Sequence, residues 1–160
     1  MGLTWGRIET KAESVLIVGA GPSLGQVEQR AVLKAFERGV RVITVNAAAL
    51  AVRGAHDWFT LDFDERNRKI AAQRWWKTRA IAAVPISFGP EASLSIHRCH
   101  PPTDVTYLHR LTGEGPLQAK YGLCNDPTAI HTGNSVWGAL GLAWHMKPRR
   151  IGFLGLDATT

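Results

Sequence analysis

Residues 14 to 25, SVLIVGAGPSLG, restrict the fold more than any other stretch of the chain. Val15, Leu16, Ile17 and Val18 form an unbroken apolar run rich in β-branched side chains, which suits a strand buried on both faces. Gly19 and Gly21 then permit a tight turn and let another group approach bare backbone. Pro22 has no N–H to lose at the start of a helix, and Ser23 can cap one. Beyond Gly25 the pattern turns helical, with Val32, Ala35 and Phe36 on one face. Strand, glycine turn and helix in succession present unpaired backbone N–H groups to an anion such as phosphate.

The same alternation continues along the chain. Val42 to Val45 predict a second strand closing on Asn46, and His56 to Asp62 a third that ends in acids. Asp64 is placed to cap a helix through Ile70, Ala71 and the Trp75–Trp76 pair. Arg79 to Pro85 predict a fourth strand and Val105 to Leu108 a fifth. Residues 87–131 are otherwise rich in Pro, Gly and His and read as an irregular insertion or lid. Thr132 or Asn134 can cap a helix whose apolar face is Val136, Leu140, Ala143 and Trp144. Ile151 to Leu156 predict a last strand, ending on Asp157. Residues 1–11 read as an N-terminal arm in which nothing fixes the place of Trp5. The whole, residues 1–160, reads as a single nucleotide-binding domain of the α/β class: a Rossmann-like three-layer sandwich with a mostly parallel central sheet. The dinucleotide fingerprint asks for a third glycine at position 24, where the chain has Leu24 and then Gly25. A Walker A loop is excluded, because no Gly-Lys-Ser/Thr follows.

Composition narrows the partners. The formal charge of +6 favours an anionic partner. Arg66, Arg68, Lys69, Arg74, Lys77 and Arg79 cluster behind Asp64 and Glu65, which reads as a solvated helix face with its acids at the positive end. Trp75 and Trp76 among those arginines also fit a base-stacking platform, so a basic nucleic-acid-associated protein stands as one alternative. No apolar run is long enough to span a bilayer, and the first residues lack a signal peptide's apolar region, so a cytoplasmic location is expected. Cys99 and Cys124 are too few for a disulfide framework and read as free thiols. With His97 and His100 they match no standard zinc spacing.

In a parallel sheet, ligands bind beyond the C-terminal ends of the strands, near the place where the strand order reverses. That rule gathers Gly19 to Leu24, Asn46, Asp62, Asp64, Thr132 to Ser135 and Asp157 on one rim. Asp62-Phe63-Asp64 has the Asp-x-Asp spacing that can hold a Mg2+ ion against a diphosphate, with helix capping or ribose binding as the plainer roles. His131, next to the TGNS turn, is a candidate general base, with a structural role as its alternative.

GAGPSL after strand one, Asn46 closing strand two, TGNS opening a long helix and the terminal IGFLGLD together resemble the small bacterial sialyltransferases that use CMP-sialic acid. They are also similar to the related motility-associated glycosyltransferases, the archaeal 6-hydroxymethylpterin pyrophosphokinase type and small bacteriophage proteins of unassigned role. The resemblance leaves residues 87–131 uncovered. It implies that Gly21, Pro22 and Ser23 approach a nucleotide phosphate, that Asn46 contacts the nucleoside, and that Thr132 and Gly133 line the far side of the site. Gly155 and Asp157 match the family's Gly-x-Asp. In those transferases the catalytic histidine lies downstream of that segment, and this sequence stops at Thr160. Either the base comes from elsewhere, with Asp62, His131 and Asp157 as candidates, or the sequence is a fragment, or the protein binds a nucleotide without turning it over. The expected function is binding of a nucleotide or nucleotide-sugar, with a glycosyltransferase-like use of a CMP-sugar type donor. Gly19, Gly21, Pro22, Ser23, Asn46, Thr132, Gly133, Asn134 and Ser135 would hold the ligand. A non-catalytic nucleotide-binding or sequestering module, of the kind a phage encodes, is the alternative that needs no base. Oligomerisation is open, through an edge strand or the Trp75–Trp76 face.

Overall fold

The structure, a computed structural model, describes residues 5–22, 24–62, 64–73, 77–85, 104–111, 122–131 and 134–156. Its elements are β1 (Ser14–Val18), α1 (Gln26–Glu37), β2 (Arg41–Val45), α2 (Ala48–Ala51), β3 (Asp57–Thr60), α3 (Glu65–Gln73), β4 (Arg79–Pro85), β5 (Val105–Leu111), β6 (Ala129–His131), α4 (Ser135–His145) and β7 (Arg150–Leu154). The strands form one sheet in the order β6-β5-β4-β3-β2-β1-β7, with every neighbouring pair parallel. The chain thus builds outward from β1 to β6, then returns across the sheet to place β7 on the free side of β1.

Successive residues on the strands enter opposite layers, as the period of two requires. Ile17, Ile43, Phe59, Ile81, Leu108 and Ile130 pack with Ala139, Leu142 and Ala143 of α4. Their neighbours Val18 and Val42 pack with Val32 of α1 and Ala48 of α2, while Trp58, Ala80 and Tyr107 pack with Ile70 and Ala71 of α3. The result is the expected α/β sandwich, with α1, α2 and α3 on one face and α4 on the other. Burying one aliphatic side chain fully contributes about 1.5–3 kcal/mol. That exceeds the spread of strand propensities, about 1 kcal/mol, so packing on two faces decides that these runs are strands. Helix α4 approaches the sheet through bare backbone: a Cβ on Gly138 would lie 2.8 Å from the Phe59 ring.

The structure departs from the sequence reading in several places. The arm is tied down. Trp5 bridges in parallel to Tyr107, and the Gly6, Ile8 and Ala12 amides donate to the carbonyls of Tyr107, Pro127 and Met146. The Trp5 ring stacks on His109 at 3.6 Å between centroids. The stretch read as an irregular insertion contains the short strand β6, and β5 runs on to Leu111. Strand β3 stops at Thr60, short of the acids. Arg79 does not lie on a solvated helix face. It opens β4 and reaches Asp57, the fully buried first residue of β3. There Arg79 Nε donates to Asp57 Oδ1 at 2.7 Å, and Arg41 donates Nε to Oδ2 at 2.8 Å and Nη2 to Oδ1 at 3.0 Å. One carboxylate therefore clamps the starts of three adjacent strands.

Replacing Asp57 with Ala leaves two largely buried guanidinium groups unpaired. Unfolding in urea should show a loss of about 3 kcal/mol, the scale of a broken buried ion pair; a loss under 1 kcal/mol would refute the clamp. Beside it, His56 Nδ1 accepts a hydrogen bond from the Val42 amide at 3.1 Å, a role open only to the neutral ring. Burial, then the Arg41 charge, lowers the His56 pKa below its ordinary 6.5, against an opposing pull from Asp57. The unfolded chain therefore takes up this proton before the folded one does. The contribution is complete above pH 6.5 and declines as pH falls below it. The melting temperature should fall between pH 7 and pH 5, and His56→Asn should flatten that slope.

Candidate functional site

The C-terminal edge of the sheet is organised by the contact between the loops after β1 and β7. The Gly19 amide donates to the Leu154 carbonyl at 2.8 Å and the Gly21 amide to the Gly155 carbonyl at 2.9 Å. A Cβ on Gly19 would fall 2.6 Å from the Gly155 oxygen, and one on Gly155 would meet the Gly19 oxygen. Gly155 also has φ +64°, the left-handed region that glycine occupies without strain. The two backbones thus touch with no room for a side chain on either. The Gly19 and Gly21 N–H groups are thus committed to the end of β7 and to the residue after it. Leu24 closes the turn by donating to the Gly21 carbonyl at 3.0 Å, and α1 starts immediately after. An α-helix leaves the N–H groups of its first turn without intrahelical acceptors, and α1 turns these toward the same edge.

Asn46 ends β2, one strand over. Its backbone is left-handed, φ 50°, a conformation asparagine tolerates better than most residues. It is held there by its amide donating to the Phe59 carbonyl at 3.1 Å and by its own carbonyl accepting from Trp58 Nε1 at 2.9 Å. The side-chain oxygen Oδ1 is buried and has no hydrogen-bond partner among the described residues. A cleft of about 570 Å³ lies between α2 and α3, lined by Ala47, the next residue along, and by Leu50, Asp64 and Lys69 among others.

The acids separate in role. Asp64 Oδ1 accepts from the Asn67 amide at 2.7 Å and caps α3. Asp62 carries an exposed carboxylate whose Oδ1 lies 3.7 Å from Arg110 Nη1. Asp64 thus serves a helix cap, while Asp62 faces a guanidinium. Among the described residues no three His, Cys, Asp or Glu side chains gather as metal ligands. His131 ends β6 opposite Leu111, with Nδ1 buried and without a hydrogen-bond partner among the described residues. Asn134 caps α4 by accepting from the Trp137 amide at 2.8 Å, and Ser135 is the first helical residue. The first turn of α4 stands over the end of β3, where Gly138 meets Phe59 and Leu61. The glycine corner at β1 and the opening of α4 therefore share one edge, two strands apart, with Asn46 between them.

Ser23, Phe63, Trp75, Trp76, Thr132, Gly133 and Asp157 lie outside the described residues, as do His97, Cys99 and His100. Arg110 is the rim residue that sequence reasoning missed. It lies near the end of β5, in register with Ile130 and Pro85, and its Nε is buried with no partner among the described residues. The signal was present: His109 and Arg110 follow an apolar strand, and polar residues at a buried strand's C-terminal end mark the rim.

No protein-family model matches the sequence, and no curated protein does. Among solved structures the chain is similar to the MAf glycosyltransferase from Magnetospirillum magneticum AMB-1, with a TM-score of 0.52 and 16% sequence identity. The similarity covers 96% of this chain and 26% of that one, so the chain spans about a quarter of the enzyme's length. No described helix is long and apolar enough to cross a membrane. The fold, at this level of likeness, is glycosyltransferase-like.

Proposed function

We propose that the chain binds a nucleotide or nucleotide-sugar along the C-terminal edge of its sheet, in the manner of a glycosyltransferase using a CMP-sugar type donor. The observation that carries this reading is Asn46: a buried side-chain carbonyl with no partner among the described residues, held in a left-handed backbone at the end of β2. A buried acceptor without a hydrogen bond costs about 1–3 kcal/mol. A donor group on a ribose or a base relieves that cost.

The neighbouring groups fit the rest of such a ligand. The close-packed Gly19–Gly21 corner, with Pro22 and Ser23, admits a phosphate against backbone, and the first turn of α1 supplies N–H donors and a positive dipole end. Asn134 and Ser135 stand on the far side of the ligand in this reading, and Thr132 and Gly133 precede them in the sequence. These donors stabilise charge as it develops on a departing nucleotide phosphate, which is where fixed dipoles lower a barrier most. Asp62, His131 and Asp157 are the candidate bases. Asp62 Oδ1 stands 3.7 Å from Arg110 Nη1, and a carboxylate at this place is within the class of groups that take a proton from an acceptor hydroxyl. No step is assigned to Mg2+.

Titration with CMP, CMP-sugars, UDP-sugars and NAD tests the proposal. The CMP series should bind saturably and raise the melting temperature. Asn46→Gly keeps the left-handed backbone and removes only the amide, so it should weaken CMP binding about tenfold, or 1.4 kcal/mol, without loss of stability. Binding of no nucleotide below millimolar concentration, or an unchanged affinity in Asn46→Gly, would refute it. Release of free CMP from a CMP-sugar, followed in time, separates a transferase from a sequestering module.

A further inference from the structure

The opposite edge of the sheet holds a second concave surface that the nucleotide reading does not use. It is a groove of about 1000 Å³, formed by the arm at Arg7 to Lys11, the Asn125–Pro127 turn, the end of α4 and the segment leading into β7. Trp144 lines it and is 45% exposed, a large fraction for the most apolar-rich type of side chain in a helix that packs on a core. Its indole N–H donates to Asn125 Oδ1 at 3.3 Å, which fixes the plane of the ring. Arg7, Lys11, Lys147 and Arg149 surround it, with Glu9 as the one acid in the lining.

The counter-charges are loose. Arg7 stands 4.0 Å from Glu9 and Arg149 stands 3.9 Å from Glu13, all four side chains being mainly exposed. Lys11 and Lys147 have no ion-pair partner among the described residues. The negative end of α4 accounts for cations at 147 and 149. It does not account for Arg7 and Lys11, which come from a separate segment tied in place by backbone hydrogen bonds. Nor does it account for an anchored, exposed tryptophan between them.

A flat aromatic face set among exposed cations, two of them only loosely paired, suits a ligand that alternates planar rings with phosphates, its rings unstacked from one another. We propose that this groove binds single-stranded nucleic acid, one base stacking on Trp144 while Arg7, Lys11, Lys147 and Arg149 contact backbone phosphates. A duplex hides its base faces and cannot use the ring. The groove lies across the sheet from the rim that includes Asn46, a separation of about 17 Å for a five-residue strand, so a free nucleotide and a strand occupy the protein together.

Fluorescence anisotropy with labelled 12-mer dT and rU strands, at 50 to 200 mM salt, tests this. Three or four phosphate contacts at about 0.7 ions each give a slope of log affinity on log salt between about −2 and −3. Trp144→Ala should weaken binding about tenfold and abolish the quenching of tryptophan fluorescence by the strand. Lys11→Glu, on the exposed arm, should weaken binding and flatten the slope, which keeps the test open if Trp144→Ala folds poorly. Arg30→Glu removes the same charge from α1, away from the groove, and should change binding much less. The proposal is overturned by failure to bind either strand or by equal affinity for duplex. It is equally overturned by heparin binding with no preference for single strands, by unchanged binding in Trp144→Ala, or by displacement of the strand with free CMP. Failure of CMP to bind at all leaves these readouts intact, so the two proposals fall separately.

Discussion

The contact between Gly19 and Gly155 is the constraint on which the arrangement of this molecule turns. β7 is made last and must be inserted beside β1, the first strand made. The loops leaving the two strands then emerge side by side at one end of the sheet, and their backbones touch with no space for a Cβ on either. The hydrogen bonds from the Gly19 and Gly21 amides to β7 hold that crossing closed. This changes what the glycine corner is for. A glycine-rich turn before a helix reads naturally as a row of free N–H groups awaiting phosphate, but here two of those groups serve the topology. In the proposed nucleotide reading, recognition falls instead to the first turn of α1, the end of β2 and, further along the rim, the Arg110–Asp62 pair.

Much of this was legible in the sequence because a strand buried on both faces has nowhere to put a polar residue. The runs VLIV, VITV and AIAAV admit no amphipathic helix, and they fix a parallel sheet and therefore a functional edge. What was not legible depends on register between distant segments. Asp57 lies 16 residues from Arg41 and 22 from Arg79, and only the pairing of β2, β3 and β4 brings them together. From composition, Arg79 belonged with its basic neighbours. β6 has three residues, too few for a period to appear. Arg110 was hidden differently: ending the fifth strand at Leu108 removed from view the two polar residues that mark its rim. Asp64 illustrates the opposite case, since an acid before a helix is explained by the cap alone, and the cap is what the structure shows.

The two ends of the sheet divide the protein's charge between structure and surface. Arg41 and Arg79 stand at strand starts but are consumed by one buried carboxylate, so they add rigidity and little outward field. A parallel sheet gathers its strand starts at one edge, and a buried anion shared by two cations there resists slippage of three strands at once, because a shift of register would leave a charge without its partner. The cations left to act outward at that edge lie on the arm and on the turn into β7, where the opposing acids are exposed and easily exchanged for solvent.

The exposure of Trp144 follows from the packing of α4. From Ser135 to Trp144 that helix has no charged residue, and such a helix would ordinarily be buried all round. Its inner face is instead made of Gly138, Ala139, Gly141 and Ala143 with Leu142, which lets the backbone come down against Phe59, Leu61 and Ile130. A helix drawn that close has no space beneath it for an indole. Trp137 and Trp144, seven residues apart and on a shared side, are left 42% and 45% exposed. The close approach that seals one layer of the core is thus also what presents an aromatic face beside the basic arm, so that enlarging Gly138 or Gly141 would disturb both ends of the sheet together.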